Sequence, residues 1–193
     1  MAQSQSVYVK ELLEAPAAPA VPWLHERWTW EGDETPLPGK WASIQAAGGV
    51  DAGLTADWLR QHVLSSPMFD AASTFFLTHR SNAVGTVTAW PDERAPLEAI
   101  GCLRFLAAAP GPEEGACLAC LIAMAEGRLW AQGRTLVHMS APSDSPVAKA
   151  LAAAGYEARD DAPDLPGVAA TPNELLTDVA STLQAKLASL ADQ

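Results

Sequence analysis

Residues 100–139 read IGCLRFLAAAPGPEEGACLACLIAMAEGRLWAQGRTLVHM, and the order of elements in them decides the fold. Ile100 to Ala108 reads as a strand, stopped by the prolines that follow. From about Glu114 to Gln132 the chain reads as a long helix, and Gly133 stands where a C-cap glycine belongs. Leu136 to Met139 is a second strand. Downstream, Pro146 to Ala154 makes a helix ended by Gly155, and Tyr156 opens a last strand. Upstream, Thr74-Phe-Phe-Leu-Thr78 and Val84-Gly-Thr-Val-Thr-Ala-Trp90 are β-rich runs joined by the turn composition of His79-Arg-Ser-Asn82. A polar loop from Pro91 to Pro96 connects that hairpin to the strand at Ile100.

Further out the signals weaken. Trp23 to Trp30 alternates aromatic and polar residues and reads as a strand. Trp41, Ile44 and the alanines after them suggest a short helix closed by Gly48-Gly49. Thr55 is an N-cap for a second helix carrying Trp58, Leu59 and Val63 to Leu64. Residues 1–22 hold a strand-like piece, Val7-Tyr8-Val9, and then a Pro/Ala tract from Ala15 to Pro22 that cannot pack a core. They are expected to form an extended N-terminal arm. The domain proper is then 23–160, and 161–193 is a linker and an amphipathic helix. Thr171-Pro-Asn-Glu174 is a capping box, and Leu176, Val179, Leu183, Leu187 and Leu190 recur every three or four residues. The apolar side of that helix must dock on this domain or on a partner, such as a second copy in a homodimer.

At 193 residues the chain suits one domain with a real core, and its 49% apolar content with seven tryptophans excludes disorder throughout. A formal charge of −11 argues against nucleic acid as a partner, because phosphate binding needs clustered Lys and Arg. The same charge suits a cationic substrate such as a small amine, or simply keeps the protein in solution. No apolar run approaches the roughly 20 residues of a membrane helix, and Met1 to Val9 shows no signal-peptide pattern. Three cysteines make no disulfide framework. These features together read as a cytoplasmic protein with no membrane partner.

Particular residues carry a family likeness. Gly32-Asp33-Glu34 with Trp41 and Ile44 comes first. Ser66-Pro67-Met68-Phe69-Asp70, Phe75-Phe76, Val84-Gly85-Thr86 and Ala89-Trp90 follow, and the segment from Asp144 to Gly155-Tyr156 closes the set. In order and spacing, over roughly residues 20–160, this resembles the GNAT acetyltransferase superfamily. The resemblance implies an α/β (α+β) fold with a mixed, mostly antiparallel central sheet flanked by helices, here with the C-terminal amphipathic helix added. It implies acetyl-CoA as cofactor and direct attack of an amine on the thioester. The backbone of Leu106, Ala107 and Ala108 would pair with the pantetheine arm, and the start of the next helix, Glu113, Glu114, Gly115, Ala116 and Cys117, would take the pyrophosphate through N–H groups. Asp144 falls where the family has an asparagine.

Two departures stand out. The pyrophosphate loop, Pro110-Gly-Pro-Glu-Glu-Gly-Ala-Cys117, loses the family's basic or amide residue and gains Glu113 and Glu114. Those acids suit a helix start by roughly 0.3–1 kcal/mol each. They would repel a pyrophosphate by about 4 kcal/mol per charge pair at 4 Å and a dielectric of 20. The family's acid tyrosine falls on Leu151, which cannot donate a proton. Cys117-Leu-Ala-Cys120 is formally a redox spacing at a helix start, or two small core residues. His25, His62, His79 and His138 show no metal-ligand spacing, so no metal site is expected. His138, on the strand nearest the acyl site, is the general base to test, against a structural role. Glu26, Glu31 and Glu34 would line an amine pocket or a solvated face, and Trp23, Trp28 and Trp30 a substrate wall or ordinary packing. Two functions follow: an N-acetyltransferase acting on a small primary amine, or a degenerate GNAT domain serving as a binding or dimerisation module.

Overall fold

The computed structural model describes residues 5–17, 26–29, 38–48, 54–79, 82–92 and 99–159. Among these described residues seven strands form one sheet: β1 (Gln5–Glu11), β2 (Glu26–Thr29), β3 (Thr74–His79), β4 (Asn82–Pro91), β5 (Ile100–Ala108), β6 (Leu136–Pro142) and β7 (Glu157–Arg159), in the order β2-β3-β4-β5-β6-β1-β7. Every neighbouring pair is antiparallel except β5–β6. The parallel pair is the one joined by a helix, α3 (Glu114–Ala131), as a parallel connection requires.

Strand alternation divides the core in two. Val87, Ala89, Leu103, Leu106, Val137 and Met139 pack under α3 and α4 (Pro146–Ala153). Trp90, Cys102, Ala107 and Phe76 face the other way, under α1 (Pro38–Ala47) and α2 (Ala56–Leu59), which runs on as a wider π-type turn over Arg60–Leu64. The glycine of the Val84-Gly-Thr86 run has a packing reason. A Cβ on Gly85 would lie 2.8 Å from a Leu121 methyl and 3.2 Å from the Ala107 carbonyl oxygen, so a larger residue here would force the Leu121 side chain of α3 to shift.

The local signals read from the sequence hold. Thr55 accepts from the Trp58 N–H at 3.1 Å as the expected N-cap, while Ser145, which the sequence reading did not single out, caps α4 by accepting from the Ala148 N–H at 3.1 Å. Gly133 (φ 75°) and Gly155 (φ 88°) take the left-handed conformation that ends α3 and α4. The predicted C-terminal helix lies outside the described residues, as do Trp23, His25, Trp30, Glu31 and Glu34.

The first strand corrects the reading of residues 1–22 as an arm. β1 is an interior strand, paired over seven residues with β6 (Gln5↔Pro142 to Glu11↔Leu136) and over three with β7. Tyr8, Val9 and Leu12 are buried. Lys10 donates to Glu126 of α3 at 2.8 Å, with the glutamate side chain only 5% exposed and the lysine 25%. Tyr156 lies under the Lys10 ammonium, 5.6 Å from ring centre to nitrogen. Burial first, and then the Glu126 carboxylate beside it, pushes the Tyr156 hydroxyl well above its ordinary pKa.

A second ion pair ties the end of α3 to the other half. Arg128 donates to Asp70 at 2.7 Å and to the Ser73 hydroxyl at 3.0 Å, and Ser73 donates to Asp70 at 2.6 Å. Burial pushes the Asp70 carboxyl up. The hydrogen bonds from Ser73, Arg128 and the Ala72 N–H, with the guanidinium charge, outweigh it and leave the group below its ordinary value. A carboxylate lowered on folding adds stability above its unfolded pKa of about 3.9 and loses it as the pH falls through the folded value. Asp70→Asn is therefore expected to melt below the unaltered chain at neutral pH. The gap should close in acid, as followed by thermal melts across that range.

Candidate active site

The site follows from how β5 and β6 part. They pair only at Ile100↔Leu136, Gly101↔Val137 and Cys102↔His138. Beyond that point β5 continues to Ala108 held only by β4, and β6 continues to Pro142 held only by β1. The result is a fork whose vertex is Cys102–His138 and whose arms end at Ala108 and Pro142.

A bulge in β5 accompanies the parting. Thr86 pairs with Ala107 and Thr88 with Arg104, so one residue of β4 faces two of β5. Phe105 sits in the bulge at φ 55°, a conformation that aromatic residues rarely adopt. Its carbonyl accepts from Nε2 of the buried Gln45, and its ring meets Trp41 edge-on at 5.1 Å. Two side chains of α1 thus hold a strained backbone position in place.

The predicted cofactor-binding residues lie along the β5 arm and beyond its end. Leu106 and Ala108 pack toward α3 and Ala107 toward α1. The end of α1 presses here, since a Cβ on Gly48 would lie 3.0 Å from that of Ala107. All three residues are covered. The chain then opens: Pro110 to Glu113 are exposed, as are Gly115 and Ala116. Glu113 occupies the N-cap position of α3 without making a side-chain cap hydrogen bond. The N–H groups of Gly115 and Ala116, which helix geometry leaves without an intrahelical acceptor, therefore have no cap from Glu113.

The two acids are nevertheless felt at this helix start. The Cys117 thiol is pushed up to about 11, first by burial and then by the charges of Glu113, Cys120 and Glu114. At pH 7 such a thiol is thiolate to about one part in 10⁴. Cys117 and Cys120 of α3 are both buried in the core, the place of two small packing residues. Thiol reagents at neutral pH are expected to label Cys102, Cys117 and Cys120 only when the protein is unfolded, which mass spectrometry of native and denatured samples would read directly.

Asp144 is exposed, one residue before the Ser145 cap, and Leu151, at the acid-tyrosine position of the likeness, is fully buried. His138 lies at the vertex itself, and its Nε2 is 3.2 Å from Oδ2 of Asp92, with side chains 5% and 2% exposed. Asp92 escaped the sequence reading, because Pro91-Asp-Glu-Arg94 has the composition of a solvated loop. Arg104, the next residue along β5 on this side, lies over the Trp90 ring at 4.9 Å. No group of three or more metal-ligating side chains occurs among the described residues, and no helix among them is long and apolar enough to cross a membrane.

This architecture has solved counterparts. A GCN5-related N-acetyltransferase from Sphaerobacter thermophilus superposes with a TM-score of 0.61 at 18% identity, over 82% of this chain and 50% of that one. An acetyltransferase of the GNAT family from Colwellia psychrerythraea gives 0.56 at 14% identity, over 81% and 53%. A putative GNAT acetyltransferase from Novosphingobium aromaticivorans gives 0.54 at 11% identity, over 82% and 61%. The chain has the GNAT fold. It spans between half and three-fifths of the length of these GNAT structures. No protein-family model matches the sequence, and neither does any curated protein. The likeness to these GNAT structures is therefore one of backbone.

Proposed function

We propose that the chain is an N-acetyltransferase that uses acetyl-CoA to acetylate a small primary amine. The observation that carries this reading is the fork. β5 has no strand partner on its β6 side from Leu103 to Ala108, and the strand leads straight to the exposed start of an eighteen-residue helix. Backbone groups along Leu106 to Ala108 would hold a pantetheine arm, as an added strand is held. The N–H groups of Gly115 and Ala116 would hold the pyrophosphate with the helix dipole behind them. The bound thioester supplies an activated acetyl group. The bulge and its supports at Gln45 and Trp41 fix the direction of the β5 backbone beside it. The net charge of −11 favours a cationic acceptor.

One observation favours the second reading, a GNAT domain kept as a binding or dimerisation module. Glu113 and Glu114 stand at the helix start where a cofactor would bring its negative charges. The two readings part on a melting experiment. Acetyl-CoA at about 100 times its Kd should raise the folding stability by roughly 2.7 kcal/mol, and no upward shift favours the module. On the enzyme reading, Glu113→Arg reverses an exposed charge beside the anion and should tighten acetyl-CoA binding about fivefold to tenfold at low salt, less at high salt. Titration calorimetry of the two proteins at two salt concentrations checks both statements.

A further inference from the structure

The structure buries an imidazole and a carboxylate together at the vertex of the fork, and neither is needed for the strand pairing there. Asp92 directly follows β4 and His138 lies on β6, so the two side chains meet across β5, over Ile100 and Cys102. Both point to the α1 side: the flanking residues Val137 and Met139 of β6 face α3, and Trp90, two residues before Asp92, faces α1. Burying such a pair is unfavourable unless its geometry is satisfied, and apolar residues would fill the place at less expense. We propose that His138 is the general base that takes the proton from the incoming ammonium, with Asp92 as its positioning residue. The proposal rests on the acetyl-transfer reading above.

With Nε2–H donated to the Asp92 carboxylate, the lone pair of His138 sits on Nδ1. That nitrogen takes a proton from the ammonium of the acceptor. The freed amine lone pair then attacks the thioester carbonyl carbon, and a C–N bond forms. The C–S bond breaks as the tetrahedral centre collapses. The departing thiolate takes up the second proton that the new amide nitrogen sheds, and the imidazolium returns its proton to solvent. Among the described residues, the charged or titratable groups on this side of the strands around His138 are Asp92 just after β4, Cys102 and Arg104 of β5, and Glu11 of β1. The helices over this side bury Trp41, Ile44, Gln45, Leu59 and Val63, none of them titratable. Lys10 and Glu126 lie on the opposite face.

The test is the release of CoA thiol from acetyl-CoA with propylamine and with 1,4-diaminobutane as acceptors, across pH, for the full chain, His138→Gln and Asp92→Asn. His138→Gln should lower kcat about 10²-fold or more and leave the acetyl-CoA Kd unchanged. Asp92→Asn alters the group that positions the imidazole, so the acid limb of kcat/KM should move. A purely structural role for the pair would not move that limb. Should either substitution unfold the chain, the limb of the unaltered protein must still coincide with the titration of the His138 imidazole protons followed by NMR. Retention of kcat by a folded His138→Gln, a limb that Asp92→Asn leaves in place, or a limb that misses the His138 titration would each overturn the assignment. If the unaltered chain binds acetyl-CoA and acetylates these amines while any of those results is found, only the assignment falls. If it turns over neither amine, the acetyl-transfer reading falls with it.

Discussion

Trp41→Ala is expected to destabilise the chain by about 3–5 kcal/mol, the usual range for truncating a fully buried large aromatic. Trp41 has no exposed surface, and its ring packs against Phe105 at 5.1 Å, Phe76 at 6.1 Å and Phe69 at 6.4 Å. These partners come from the β5 bulge, from β3 and from the turn that follows α2, so one side chain joins three parts of the α1-side core. Its loss also removes one of the two supports of Phe105, the other being Gln45. By contrast Trp58, half-buried and stacked on His62 at 4.7 Å, should cost about 1 kcal/mol or less. Urea unfolding of the two variants tests the contrast, and an unchanged m-value for each would show that the native state has kept its compactness.

The second large effect belongs to the inserted first strand. Lys10→Met should destabilise by about 3 kcal/mol, because it strands the Glu126 carboxylate in the core without a partner. The diagnostic variant is the double one. Lys10→Met with Glu126→Leu removes both charges, and replacing a buried pair by apolar residues of similar size is often neutral or stabilising. Most of the loss should therefore be recovered. If β1 were a loose arm, Lys10→Met would lie within about 0.5 kcal/mol of the unaltered chain. Denaturant melts of the three proteins decide between these outcomes.

These two side chains also show what the sequence could and could not reveal. Trp41 and Ile44 were readable as the buried side of a short helix, and the strand–helix–strand order from Ile100 to Met139 was carried by composition and by Gly133. The position of β1 was not readable. Only Val7-Tyr8-Val9 of its seven residues is apolar, with polar residues and Lys10 at its ends, a Pro/Ala tract follows, and its partner in the sheet lies about 130 residues further along the chain. Pairing of that range is fixed by what β6 leaves open, and no local pattern encodes it.

The site divides in the same way. The resemblance to GNAT proteins singled out the helix start at Glu113 to Cys117 and the strand position of His138. Asp92 stayed hidden because burial alone distinguishes it from a loop aspartate, and that burial comes from the fold around it. The unusual φ of Phe105 was equally out of reach, since nothing in Leu-Arg-Phe-Leu announces a bulge. In both cases the missing information is tertiary, and both residues lie beside the fork.

Amide hydrogen exchange of the full chain, with and without saturating acetyl-CoA, tests the central claim most directly. Acetyl-CoA is predicted to slow exchange at Gly115 and Ala116 and along Leu103 to Ala108, while β2 and β3 exchange as before. Unchanged rates at the start of α3 and along the free edge of β5, at a concentration that saturates any binding, would contradict it.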